Sequence, residues 1–170
     1  MKTITWISLM LLAAAGASAG DVPTRQADVG ISRTVDALLA GMSGEEGEDR
    51  DWQAWADLFV PGAVFRKVGA TPRSLLETRT LGVPEWIVGS GLGLNGKPFV
   101  EEAIHSVTET YGGIASVFVT YIVRTGRGGP EIARGVASLH LVETNDGWKV
   151  VSWIWTGEQE NDPLPARYLP

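Results

Sequence analysis

The chain holds few residues with which to do chemistry. Its only histidines are His105 and His140, and it has no cysteine. Without a thiol there is no thiolate nucleophile, no zinc finger and no iron–sulfur ligation. Two histidines far apart, with no H-x-x-x-H spacing, give no metal site, and no cofactor is expected. His140 is the better placed of the two, because a neutral imidazole can move a proton near pH 7. On an extended strand it shares parity with Arg134 and Ser138, so the three side chains point to one face. A buried Arg134 there would need a carboxylate partner, and Glu102, Glu109 and Asp57 are the candidates. The stripe has two readings. One is a site for an anionic or carbonyl substrate, with His140 and Glu102 or Asp57 as a proton-transfer pair. The other is an Arg–Glu pair that braces the sheet or a dimer. Trp55, Phe59, Tyr121, Trp153 and Trp155 are the residues that could line an aromatic cavity for a small apolar or amphipathic molecule, and core packing would account for most of them equally well.

Several elements must position these groups. Ile31, Val35, Leu38, Leu39 and Met42 recur at steps of three and four, which predicts a helix over 29–42. The acidic stretch 43–51 (S-G-E-E-G-E-D-R-D) lacks calcium-loop spacing and reads as a solvated turn. Asp51 can cap a second helix over 52–59, ended by Pro61-Gly62, with a first strand over 63–68. In 69–96, short strands at 79–81 and 85–88 are expected. Gly91 to Gly96 spells G-x-G-x-x-G, but Pro98 and a strand-like run follow it where a dinucleotide site needs a helix, so it reads as a loop. The run 99–111 is strand-like at its end, although Glu101 to Ile104 could start a helix; strands follow at 114–124, 132–143 and 148–157, joined by Gly112-Gly113, a Gly-rich turn at 125–130 and Asn145-Asp146-Gly147. Parity sets Trp153 and Trp155 on the face opposite Trp148 and Val150. Residues 158–170 read as a polar, Pro-rich tail. Helices first and antiparallel strands last predict an α+β fold. The last strands are apolar on both faces, which calls for a second subunit against the sheet: a homodimer.

The first 19 residues read as a secretory signal peptide. Lys2 supplies the charge, Ile4 to Ala15 the apolar run, and Ala17-Ser18-Ala19 the cleavage site. The run is too short for the ~20 residues a spanning helix needs, so no stable membrane insertion is expected. Cleavage would leave 151 residues, one domain, after a polar arm at 20–28. The whole chain carries a net charge of −6. An acidic chain with no basic cluster argues against nucleic acid and anionic membrane surfaces as partners. Export to the periplasm or beyond is the expected destination.

Two segments carry a resemblance. Asp51 to Phe65 (D-W-Q-A-W-A-D-L-F-V-P-G-A-V-F) and Asn145 to Trp155 (N-D-G-W-K-V-V-S-W-I-W) resemble the nuclear transport factor 2-like superfamily, in the style of its SnoaL-like polyketide cyclase and ketosteroid isomerase relatives. The likeness covers most of 29–158. It implies a cone: a strongly bent antiparallel sheet around N-terminal helices, with a pocket at the open end. Members include isomerases, dehydratases, cyclases, epoxide hydrolases and non-catalytic binding modules, so fold does not settle function. The isomerase relatives need a carboxylate base where this chain has Arg66 and Lys67. The dehydratase relatives pair two histidines with an acid, which His105 and His140 would have to supply.

Three functions are therefore in play: an exported small-molecule-binding module, a lyase or isomerase that uses His140 and a carboxylate, and a periplasmic interaction domain. An enzyme of this kind requires His140 and an acid in one cavity. A binding module requires a roomy apolar pocket with one or two polar groups. An interaction domain requires a filled cone and a bare apolar sheet face.

Overall fold

The computed structural model describes residues 24–69 and 79–170. The expected signal peptide, at 1–19, lies outside the described residues. Helix α1 (Thr24–Met42) starts inside the expected arm and carries the predicted stripe. Ile31, Val35, Leu38, Leu39 and Met42 are all buried. Two glycines interrupt this helix, each at about 1 kcal/mol of propensity relative to alanine. The reason is close approach: a Cβ on Gly41 would sit 2.6 Å from Trp55 Cδ1, and one on Gly30 would sit 2.8 Å from Trp148 Cδ1. Indoles lie directly on the helix backbone at both places.

Helix α2 (Trp52–Ala56) is capped as expected, the Asp51 carboxylate accepting from the Ala54 N–H at 3.0 Å. It ends three residues short of the prediction. Phe59 belongs instead to strand β1 (Phe59–Lys67), where it pairs with Val150. Pro61-Gly62 therefore lies inside the strand and not after a helix. Gly62, at φ +82°, sits where the pairing with the neighbour slips between Phe59 and Val64. Strand β2 (Leu81–Gly82) is two residues long. The strand expected at 85–88 is helical: α3 (Val83–Gly89) has Pro84 in its first turn and Glu85 beside it. Proline suits the first turn of a helix, and a four-residue apolar run does not distinguish strand from helix. Gly91–Leu94 form a 3₁₀ turn.

The remaining strands are β3 (Val100–Tyr111), β4 (Ile114–Arg124), β5 (Glu131–Thr144) and β6 (Gly147–Gly157). They make one sheet in the order β2-β1-β6-β5-β4-β3. Its pairs are antiparallel except β1 with β6, which run parallel. The helices cover one face, which is the inside of the cone. Irregular pairing in β1, β3, β5 and β6 bends the sheet.

One of these irregularities overturns an expectation. Leu141 pairs with Val150 and His140 with Ser152, so Val151 is an extra residue in β6. The extra residue resets the two-residue alternation. Trp148 and Val150 before it, and Trp153 after it, all join the core, with Trp155 packed against them. The two tryptophan sets share one face.

The acidic connector also departs from a plain solvated turn. Arg50 within it is buried and donates to five backbone carbonyls. These are Met42 (3.0 Å), Glu48 (2.9 Å), Lys97 (2.7 Å), Gly44 (3.4 Å) and Leu94. The guanidinium ties the C-terminus of α1 to the two loops that follow α1 and α3. Carbonyls at a helix end lack partners within the helix, and a cation is favoured there. Burial lowers the pKa of Arg50, while Glu48 and Asp49 raise it.

The C-terminal tail does not trail away. Tyr168 packs on Phe118 with ring centroids 4.8 Å apart, and its carbonyl accepts from Thr120 Oγ1 at 2.6 Å. Phe118 and Thr120 are on the outer face of β4, so the tail lies across the outside of the sheet. Beneath it Thr120, Ile122 and Val136 are buried. Further along the same face Val107, Tyr111, Ile114 and Ile154 stay exposed.

Candidate functional site

The inside of the cone is filled by rings. Trp55 stacks on Trp86 at 4.7 Å and meets Phe59 edge-on at 4.8 Å. Phe65 lies 5.7 Å from both Trp86 and Trp153. The Trp55 indole N–H donates to the Leu38 carbonyl at 2.9 Å, which satisfies it within the core. Trp153 Nε1 is buried and has no hydrogen-bond partner among the described residues. Of the aromatic residues expected to line a cavity, Trp55 and Trp153 are thus part of the packing itself. Tyr121 faces inward from β4, its hydroxyl donating to the Thr156 carbonyl at 3.3 Å, with its ring against Gly135.

Phe59 reaches an opening. It lines a cleft of about 950 Å³ with Ala56, Asp57, Val60, Pro61, Ala63, Val83, Pro84, Glu85, Asp146 and Lys149 among its walls. The end of α2, the start of β1, the β2–α3 junction and the β5–β6 turn bring these residues together. Phe59, Val60, Pro61, Ala63, Val83 and Pro84 give it an apolar floor. Asp57, Glu85, Asp146 and Lys149 stand as its charged groups. Lys149 Nζ donates to the Asp57 carbonyl at 2.6 Å, which closes one side. The Asp57 carboxylate accepts from Gln53 at 3.0 Å.

The proton-transfer pair expected of His140 with Glu102 or Asp57 is not assembled. His140 is exposed on the outer face of β5, in line with Ser116 and Ser152. Its Nδ1 is 2.8 Å from Ser152 Oγ. Glu102 is also outside, in line with Ile122, its carboxylate 3.4 Å from Arg124 Nε. Asp57 lies in the cleft described above. His105 pairs with Thr120 on the same outer face, two strands from His140. Arg134 does meet carboxylates, but not those anticipated: Glu131 at 2.9 Å and Glu158 at 4.0 Å. Its Nε is buried without a hydrogen-bond partner among the described residues. Of the expected site residues, Asp57 and Phe59 share the mouth cleft, and His140 shares a separate depression of about 440 Å³ on the outer face with Glu109.

Sequence reasoning passed over Glu101. It pairs with Val123, an inward-facing core residue, so its side chain is inside and that of Glu102 is outside. It is 8% exposed, and burial pushes its carboxyl up to about 8. At neutral pH it holds its proton. Burial, and secondarily Glu101, also raise the Tyr121 hydroxyl above its ordinary value. Glu101 lines a second cleft of about 370 Å³ between α1 and β3, with Asp36, Leu39, Ala40, Ser43 and Arg127. The Ser43 hydroxyl fixes the strand there, accepting from the Glu101 N–H at 2.9 Å. No pattern in V-E-E-A marks which of two adjacent glutamates turns in. Among the described residues no group of three or more His, Cys, Asp or Glu is placed to hold a metal ion. Nor is any helix there long and apolar enough to cross a membrane.

No family model matches this chain, and no curated protein matches it. Solved structures do. A putative dehydratase from the NTF2-like family of Streptomyces avermitilis is 19% identical, over 78% of this chain and 96% of that one, with a TM-score of 0.57. An NTF2-like protein of unknown function from Pseudomonas putida is 13% identical, over 82% and 94%, with a TM-score of 0.59. An NTF2-like protein with a cystatin-like fold from Novosphingobium aromaticivorans is 16% identical, over 78% and 79%, with a TM-score of 0.54. At such identities the likeness is one of architecture: this chain has the α+β cone of the nuclear transport factor 2-like fold.

Proposed function

We propose that this chain is an exported module that binds a small apolar or amphipathic molecule in the cleft at the mouth of its cone. The interior itself is filled by rings, so the reading rests on the cleft of about 950 Å³ at its mouth, with its apolar floor and four charged groups at its edge. Ligand sites are mostly concave and apolar, with a few polar groups that fix orientation. The apolar body of the ligand would lie on Phe59, Val60 and Pro84. A polar end would face Lys149 or the carboxylates of Asp57, Glu85 and Asp146. The signal-like start of the sequence supports export. The exposed Val107, Tyr111, Ile114 and Ile154 support a second copy docked on the uncovered part of the sheet.

A thermal-shift screen against lipids, sterols and aromatic acids tests the reading. A true ligand at 100-fold excess over its dissociation constant adds ~2.7 kcal/mol of stability. Val60→Glu, which puts a charge on the floor, should weaken that ligand at least tenfold, and Lys149→Glu should change the preference among charged members of the panel. A flat screen, or a ligand indifferent to both variants, would count against the cleft.

A further inference from the structure

The cleft between α1 and β3 shares no residue with the one at the mouth of the cone. We propose that it is a second binding site, for a small organic cation: a primary ammonium group held by Glu101, with an apolar arm lying along α1.

Glu101 carries the inference. It faces inward from β3 and is 8% exposed. Its N–H is bonded to the Ser43 hydroxyl, but its carboxyl has no partner among the described residues. The hydroxyls nearby are spent on backbone. Ser43 donates to the Leu39 carbonyl at 2.9 Å, and Tyr121 donates to the Thr156 carbonyl at 3.3 Å. A buried polar group without a partner is uncommon in a folded chain and calls for an explanation. Burial pushes this carboxyl up to about 8, so it is an acid that ionises when a counter-charge arrives beside it.

The walls decide the sign of the ligand. Leu39 and Ala40 of α1 face Val100 and Ala103 of β3 across the cleft. Arg127, from the turn after β4, is already engaged: its main-chain N–H donates to the Glu45 carboxylate at 2.7 Å, and its Nε lies 3.9 Å from the same oxygen. Glu102 turns to the outer face, where Arg124 lies 3.4 Å away. Tyr121, packed from β4, stays neutral because burial raises its hydroxyl. Asp36, exposed on α1, has no charged partner among the described residues. The cleft thus presents two unpaired carboxyls, on facing elements, with apolar wall between them. An anion would find no free cation there. A metal ion would find too few ligands, since no group of three or more is placed for one among the described residues. An ammonium with an aliphatic arm meets both the carboxyls and the wall. Past Asp36 and Ala103 the groove runs on into a pocket of about 50 Å³ lined by Val35 and Val117, which takes the arm.

Binding moves one proton. The amine enters as ammonium, Glu101 gives its proton to water, and an N–H of the ammonium donates to the new carboxylate. Below the carboxyl's own pKa each pH unit raises its ionised fraction about tenfold, so ammonium binding should tighten about tenfold between pH 6 and pH 7.

The test is a titration of the protein with n-butylamine, n-butanol and butyrate, read by nitrogen–proton correlation spectra. The amine should shift the amides of Leu39, Ser43, Glu101 and Ala103 saturably, with that pH dependence. The alcohol and the acid should bind more than about tenfold less tightly at pH 7. Glu101→Gln should weaken the amine and remove its pH dependence. Asp36→Asn, at an exposed position, should weaken the amine but leave the pH dependence in place. The inference is overturned if the alcohol binds as tightly as the amine, if Glu101→Gln keeps the pH dependence, or if these amides do not move. Shifts confined to Phe59, Val60 and Lys149 would put the amine in the mouth cleft and overturn it equally, while leaving the reading of that cleft intact.

Discussion

Arg50 offers the sharpest test of how this fold is held. Its guanidinium reaches five carbonyls drawn from the end of α1 and from two loops. In Arg50→Met the stem is kept and the donors are lost. A buried acceptor left without a donor costs about 1–3 kcal/mol. Five such losses do not add in full, because the loops can relax toward water and the cost of burying the charge disappears. Partly relaxed, these losses are expected to total about 3–5 kcal/mol. Against a total stability of about 5–15 kcal/mol this is a large share. At about 2–4 °C per kcal/mol for a chain of this size, the melting temperature should fall by about 6–20 °C. Arg50→Lys keeps the charge but replaces a planar fork by a point donor, so it should recover only part of the loss. Urea unfolding followed by far-ultraviolet circular dichroism measures both variants. If Arg50→Met lies within 1 kcal/mol of the parent, with an unchanged denaturant slope, the carbonyl cradle does not hold the loops and this account of the connector is wrong.

Other predictions follow from single contacts. Glu101 is neutral in the fold up to about pH 8, whereas in the unfolded chain it ionises near 4.5. The unfolded state therefore binds fewer protons across that interval, and stability falls as pH rises from about 4.5 to about 8. Glu101→Gln should flatten this slope and gain several kcal/mol at pH 8; parallel melting curves for the two proteins across pH 5–8 would refute it. Gly41→Ala should destabilise by about 1–3 kcal/mol in chemical denaturation, despite alanine's better helix propensity, because the new methyl meets the Trp55 ring. His140→Ala should change the unfolding free energy by less than about 0.5 kcal/mol and leave ligand binding in the cleft intact, since it removes one exposed contact with Ser152.

Much of the fold was legible. The runs at 114–124, 132–143 and 148–157 are rich in β-branched and aromatic residues and bounded by Gly, Asn and Asp, and each is a strand within a residue of its expected ends. The stripe from Ile31 to Met42 is buried as its spacing required. Several of the failures concern which face a residue takes. Parity arguments assume an unbroken alternation, and a single extra residue at Val151 voids them for Trp153 and Trp155. Adjacent glutamates at 101 and 102 differ only in which face they take, and the register of β3 against β4 decides that. The tail reads as polar because its charges are many, yet Tyr168 and Glu158 anchor it. His140 was given a role from its stripe with Arg134 and Ser138. That stripe exists, but on the outside.

The filled interior has an optical consequence. Trp52, Trp55, Trp86, Trp153 and Trp155 form a connected chain of indoles with centroids 4.7–6.3 Å apart. At such spacings the ring transitions couple and excitation passes among them faster than it is emitted. The intact protein should therefore show an exciton couplet in circular dichroism. Loss of any one ring from the chain should reshape the signal of all five, so the native spectrum is a fingerprint of the assembled cluster and not a sum of independent reporters.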